Sequence, residues 1–375
     1  MRIERWLRVA TSCLLAALAV GCASTSAPRS AAAGTLLVVG GGLDNDTRAV
    51  WERFVELASA RGPARFVVAT AATGDEEDEV VDKTEALRVW APGAPVVAVR
   101  RGASTEETVA AIDDATAMLF TGGDQKRIVA RYRPDDADTP EWLAMRRLLA
   151  RGGVIAGASA GDAMMGEIML LSGGSARALG IPPKEAPKDG EVVVLGPQLG
   201  PGMKFQPWVV TDSHFFERDR VGRLAAALEA SGRRLGLGVG EDAALEIDLA
   251  TGIARGVGDS ESLLVDAAHL RRRGDRLTGL LAACIGKGDE VALAERLAGD
   301  PPPPPARPRI ARSMPVVEPG QNRQLASWRL FRVASRPGSG ATRLALEQWD
   351  VVAWPAPNGE VAFETGAHDD AVQDP

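Results

Sequence analysis

Residues 154–166 read Val154-Ile155-Ala156-Gly157-Ala158-Ser159-Ala160-Gly161-Asp162-Ala163-Met164-Met165-Gly166. A short apolar run passes through a turn of very small residues into a second apolar segment. The first part suits a strand buried on both faces, and Ala163 to Gly166 suits the start of a buried helix. The same beat recurs on either side. Leu36-Leu37-Val38-Val39 ends in Gly40-Gly41-Gly42, and Thr47 to Ala60 then shows helical periodicity. Arg65 to Ala69, Val96 to Val99 and Ala117 to Phe120 are further apolar runs, the last followed by Thr121-Gly122-Gly123-Asp124. Continuous apolar strands separated by helical segments indicate an α/β sandwich with a central, mostly parallel sheet. Active sites in such sheets sit at the carboxyl ends of the strands, where the glycine-rich turns fall here.

The chain has 375 residues, 45% of them hydrophobic, enough for one large core or one core with a small appendage. A net charge of -7 argues against nucleic acid as a partner, since a phosphate backbone demands clustered positive charge. If Cys13 leaves with a signal peptide and Cys22 carries a lipid, only Cys284 stays free, and with three histidines a dedicated zinc site is not expected.

Five segments follow from composition. Residues 1–21 read as a signal peptide: Arg2, Arg5 and Arg8 precede an apolar stretch, Val9 to Val20, too short to span a bilayer. It ends in Leu18-Ala19-Val20-Gly21-Cys22, similar to a bacterial lipobox, so Cys22 is expected to carry a lipid that anchors the chain to the cell envelope. Residues 22–33 are a small, polar tether and 34–299 the main folded domain. Residues 300–309 form a proline-rich linker, because the prolines of 301–305 oppose helix and central strand alike. Residues 310–375 read as a β-rich appendage with an acidic tail. Within it Trp328 to Ala334, Leu344 to Trp354 and Glu360 to Glu364 alternate like strands.

Gly-x-Ser-x-Gly between a strand and a helix is the nucleophile-elbow pattern. A serine held on so sharp a turn needs neighbours without bulk, and Gly157, Ala158, Ala160 and Gly161 all qualify. Serine also needs a base. His368 lies in the acidic tail, and His269 in Ala267-Ala268-His269-Leu270 looks like a helix edge. His214 alone ends an apolar strand, Val209-Val210-Thr211-Asp212-Ser213-His214. Glu241, closing Leu235 to Gly240, is the candidate to orient the imidazole, with Asp242 and Asp212 as weaker alternatives.

Gly40-Gly41-Gly42, Thr121-Gly122-Gly123-Asp124-Gln125, Gly157 to Gly161, Asp212-Ser213-His214-Phe215 and Gly238-Val239-Gly240-Glu241-Asp242 occur in the order of one family. Over roughly Gly34 to Gly299 the chain resembles the cyanophycinase branch of the S51 serine peptidases, relatives of aspartyl dipeptidase. The resemblance implies a flavodoxin-like three-layer sandwich related to class I glutamine amidotransferases. It implies Ser159 as nucleophile, His214 as base and Glu241 as orienting acid. The oxyanion hole falls on the amides of Gly123 or Asp124 with Ala160. Substrate contacts fall on Gln125, Asp212, Arg218, Arg220 and Arg223, the arginines suited to carboxylates of an aspartate-rich peptide. No cofactor is implied, the partner is a peptide rich in aspartyl linkages, and a homodimer is compatible with the pattern. Asp162 and Ser213 depart from it, where the relatives carry alanine and glutamine.

Two rival readings remain at this stage. One is an α/β-hydrolase esterase using His269 with Asp248 or Asp259. The other is a non-catalytic envelope lipoprotein that binds peptides on the same fold. A dinucleotide site at Gly40-Gly41-Gly42 is rejected, because the Gly-x-Gly-x-x-Gly spacing is missing.

Overall fold

The computed structural model describes residues 34–185, 193–301, 305, 326–336, 338–346 and 348–367. The expected signal peptide, Cys22, the tether, most of the proline-rich linker and the acidic tail with His368 lie outside these residues.

Alternating strands and helices open the fold, as the apolar runs require. In order they are β1 (Thr35–Val39), α1 (Arg48–Ser59), β2 (Phe66–Ala69), α2 (Glu76–Trp90), β3 (Val96–Val99), α3 (Thr105–Asp114), β4 (Ala117–Phe120), α4 (Gln125–Tyr132), α5 (Pro140–Ala150) and β5 (Val154–Ala158). The five strands pair in parallel in the order β3-β2-β4-β5-β1. Counted from β2, four of them run in the order 2-1-3-4, and the first strand of the chain fills the fifth place. Residues of α1 and α2 such as Trp51, Phe54 and Leu87 cluster against one face, with Leu37, Val68 and Ala156. Ile112, Ile128, Met145 and Leu148 of α3, α4 and α5 cover the other, with Leu36, Val67 and Ile155. β3 departs from the two-faced burial expected of it: it is the edge strand, and Val97 is exposed.

After a short helix α6 (Ala160–Ala163), the chain builds β6 (Ile168–Ser172), α7 (Ser175–Ala178), β7 (Gln198–Pro201), β8 (Val209–Asp212), α8 (Val221–Ser231) and β9 (Leu235–Val239). β10 (Ala243–Asp248) and β11 (Ile253–Gly258) then return to the first sheet, and β12 (Ser262–Asp266), β13 (Arg271–Arg273) and β14 (Arg276–Ile285) to the second. β10 pairs antiparallel with β1, with Val39 opposite Ala244, so the first sheet is mixed. β15 (Glu290–Ala292) pairs with β11 at its far edge, and α9 (Leu293–Ala298) follows.

The C-terminal strands do not stand apart as an appendage. α10 (Ala326–Ala334), β16 (Thr342–Ala345), β17 (Trp349–Pro355) and β18 (Val361–Ala367) complete the second sheet, ordered β16-β17-β18-β14-β12-β9-β8, with β13 paired to β14. β14 is ten residues long, and β18 covers an edge that would otherwise expose unpaired backbone. Trp328 to Ala334 is helical rather than a strand. Ala326, Leu330, Phe331 and Ala334 are its buried apolar residues, spaced i, i+4, i+5 and i+8 on a helix face.

Register brings the carboxyl ends together. Val39 lies beside Ala158 and Phe120 beside Gly157, so the turns after β1, β4 and β5 are neighbours. In the second sheet Asp212 of β8 lies beside Gly238 of β9. The three-residue turn Gly240-Glu241-Asp242 carries the chain from β9 across to β10, and so from one sheet to the other.

Candidate active site

Ser159 stands between β5 and α6 with φ 53° and ψ -100°, a backbone region that costs an L-residue about 1–3 kcal/mol. Its surroundings hold it there. The Ser159 amide donates to the Val39 carbonyl at 3.0 Å, and the Ala163 amide donates to the Ser159 carbonyl at 3.0 Å. The flanking glycines are a steric requirement. A Cβ at Gly157 would sit 2.3 Å from the Gly161 carbonyl oxygen, and one at Gly161 would sit 2.7 Å from that of Phe120.

His214 follows β8 at φ 45°, and its amide donates to the Gly40 carbonyl at 2.6 Å. Its Nε2 lies 2.7 Å from Ser159 Oγ and its Nδ1 2.5 Å from Glu241 Oε1. The carboxylate calls the proton to Nδ1, which leaves Nε2 to accept the serine hydroxyl hydrogen. Three residues from three strand ends thus form one hydrogen-bonded chain. The glycine triplet after β1 makes room for it. A Cβ at Gly41 would lie 2.2 Å from His214 Cε1, and one at Gly42 would lie 3.3 Å from Glu241 Cβ. Gly41 therefore belongs to the site although sequence reading assigns it no role. A triplet at a strand end without dinucleotide spacing is the signal that could have revealed it.

Burial lowers the pKa of His214, and the nearby Arg218 charge adds to this, while its hydrogen bond to Glu241 works in the other direction. The neutral imidazole is the form that can take a proton from serine. Asp162 is fully buried in α6. Thr211 Oγ1 donates to its backbone carbonyl at 2.8 Å, and neither carboxylate oxygen has a partner among the described residues. Burial pushes this carboxyl well above the usual carboxylate range. Glu217 is raised too, chiefly by burial.

Gly122 borders Ser159, since a Cβ there would lie 3.6 Å from Ser159 Cβ. The Asp124 amide is committed to the Ala72 carbonyl at 3.0 Å, which removes it from the expected oxyanion hole. Among the described residues the Gly123 and Ala160 amides have no acceptor, and these two remain as donors.

Most of the residues expected to contact substrate carry hydrogen bonds within the chain. Gln125 Nε2 donates to the carbonyls of Leu170 and Leu171, the second at 3.0 Å, tying α4 to β6. Asp212 is fully buried and gripped by Arg223, whose Nε donates at 2.9 Å and whose Nη2 makes a second bond. Arg223 also donates to the Gly173 carbonyl at 2.9 Å, and Arg220 donates to the Ser213 carbonyl. Only Arg218 of the three arginines is exposed. The reason is local: β8 ends in a buried carboxylate, and α8 starts where it can neutralise that charge. His269 sits in the turn between β12 and β13, not on a helix. Asp248 accepts from the amides of Ala250 and Thr251, and Asp259 faces Lys287, so the esterase arrangement is not assembled.

The sequence pattern of peptidase family S51 matches residues 36–251. The cyanophycinase of Synechococcus elongatus is 33% identical over 172 residues, 46% of this chain and 48% of that protein. That of Nostoc sp. (strain PCC 7120 / SAG 25.82 / UTEX 2576) is 30% identical over 191 residues, 49% and 53% of the two chains. The chain thus spans about half the length of the curated relatives it matches. The crystal structure of a peptidase from an acI-B1 Actinobacterium is similar in fold, with a TM-score of 0.52 at 19% identity over 70% of this chain and 98% of that one.

Proposed function

The chain belongs to peptidase family S51, and on that premise we propose that it is a serine peptidase that hydrolyses aspartyl peptide bonds through an acyl-enzyme. The observation that carries this reading is the hydrogen-bonded chain Ser159–His214–Glu241, in which a strained serine meets a base that is itself oriented by an acid. In the first half of the reaction His214 Nε2 removes the Ser159 hydroxyl proton as Oγ attacks the aspartyl carbonyl carbon. The amides of Gly123 and Ala160 take the oxyanion. His214 then gives its proton to the departing amine as the carbon–nitrogen bond breaks. In the second half water replaces serine by the same proton path. All groups that move protons or hold charge in this scheme are side chains and amides of the chain itself.

The substrate class comes from kinship: the relatives that match are cyanophycinases, and the β-aspartyl-arginine linkage of cyanophycin is the bond assigned to this chain by analogy. In this reading Arg218 meets a substrate carboxylate, supported by its exposure and by its charge acting on His214. Anchoring through a lipid at Cys22, which would put the site in the cell envelope, is part of the same reading. Incubation of the purified protein and its Ser159→Ala variant with insoluble cyanophycin, reading dipeptide release, tests it. Release by the wild type alone is expected; equal release by both would remove Ser159 from the mechanism.

A further inference from the structure

Arg271-Arg272-Arg273 is a run the active site does not use. Along β13 successive side chains alternate sides. Arg272 leaves on one side, where its Nε donates to Glu229 at 2.8 Å. Arg271 and Arg273 share the other side, both exposed, and among the described residues neither has an acidic partner. Arg273 is directly opposite Arg276 of β14. Arg276 itself is neutralised by Asp350, with Nη1 to Oδ1 at 2.7 Å, and by Glu364 at 3.4 Å. Among the described residues the uncompensated positive charge is therefore that of Arg271 and Arg273.

These arginines border a cavity of about 540 Å³ lined also by His269, Leu280, Trp354 and Ala362. That size falls in the range of small-ligand sites, and apolar walls with a few polar groups at the rim are their usual make-up. It is remote from the triad. β14 runs from Arg276 beside the cavity to Ile285, which pairs with Ser262, and Ser262 pairs with Val239 just before Glu241. Ten strand residues, about 30 Å, separate the two ends of the sheet.

We propose that this cavity is a second binding site, for an extended acidic peptide segment with carboxylates on alternate residues. Side chains two apart on a strand are about 7 Å apart on one face. Arg271 and Arg273 thus repeat at the spacing that alternate side chains have in an extended ligand. Each guanidinium fork fits one carboxylate, and the edge of Trp354, which keeps 6% of its surface exposed, borders the space between them. The site stands independently of the reaction assigned to Ser159.

Fluorescence polarisation of a labelled peptide Asp-Ser-Asp-Ser-Asp with the full-length protein tests this, with Asn-Ser-Asn-Ser-Asn as control. The acidic peptide should bind saturably and the control should not. Ser159→Ala should bind it as the wild type does. The double variant Arg271→Gln/Arg273→Gln should bind about tenfold or more weakly, the loss expected when charge-assisted hydrogen bonds go. Both positions are exposed, and equal melting temperatures of variant and wild type would show that the fold is kept. Failure of the wild type to bind, equal binding of the control, or undiminished binding by the folded double variant would each overturn the proposal.

Discussion

His214 Nε2 lies 2.7 Å from Ser159 Oγ, although the serine ends a strand of the first sheet and the histidine a strand of the second. The contact is made at the seam between the sheets. The His214 amide is pinned to Gly40 and the Ser159 amide to Val39, so both residues take their position from the end of β1. The end of this one strand is the common reference for Ser159 and His214.

If the chain is a triad hydrolase, Ser159→Ala lowers kcat by about a thousandfold or more, and Glu241→Gln does so on a similar scale by weakening the tautomer that leaves Nε2 free. Steady-state kinetics on an aspartyl peptide checks both. A Glu241→Gln enzyme with wild-type kcat would exclude the acid from the relay.

Gly41→Ala places a methyl carbon within 2.2 Å of the imidazole at a φ of +118°. The ring must move, and a displacement near 1 Å is enough for about a hundredfold loss in kcat. Folding should survive, so the variant is expected to keep the circular dichroism spectrum of the wild type while losing turnover. Wild-type activity would mean that the ring does not depend on Gly41.

The lowered pKa of His214 keeps the base neutral at pH 7 and puts the acid limb of kcat/KM below the ordinary histidine value of about 6.5. Because the Arg218 charge contributes to the lowering, Arg218→Gln should move that limb to higher pH. A pH profile that does not shift, or shifts downward, would contradict the assignment of the limb to His214.

Asp162 gives a stability signature of the opposite kind to a salt-bridged carboxylate. Its folded pKa is above its unfolded one, so between the two the folded state binds more protons and stability falls as pH rises. Below about pH 4 the residue is protonated in both states and costs nothing by this route. Asp162→Ala should therefore gain in stability relative to wild type as pH rises from 4, until the folded pKa is passed and the difference levels. Urea denaturation across pH 4–9 reads this directly; a difference independent of pH would show that Asp162 is not held as a buried neutral acid.

Arg223→Ala leaves the Asp212 carboxylate buried without its fork, a loss of about 3–5 kcal/mol. Its main effect should be on the denaturation midpoint. A variant of unchanged stability with a raised KM would restore Arg223 to the substrate contacts.

The repeating apolar runs gave away the parallel strands, and the small residues about Ser159 gave away its turn, because both are local steric demands written in adjacent positions. His214 and Glu241 were legible as polar residues closing apolar strands. What the sequence could not show is that Asp212 is met by Arg223 and that Arg220 reaches the Ser213 carbonyl, since a carboxylate at a strand end looks alike whether it meets a substrate or a buried arginine. Trp328 to Ala334 was misread because so short an apolar pattern fits period 2 and period 3.6 almost equally until its neighbours are known.

By itself, then, the sequence determined the alternating strands and helices up to β5 and the serine, histidine and acid that close strands, since helix period, strand alternation and turn sterics act over a few residues. Only the tertiary structure decided that β18 would pair with β14 and close the second sheet, that the β9–β10 turn would cross between sheets, and that Gly41 would face the His214 ring. These outcomes depend on contacts between segments far apart in the chain, such as the 55 residues separating Ser159 from His214. Their energies come from whichever surfaces the whole packing brings together, and no local pattern carries that information.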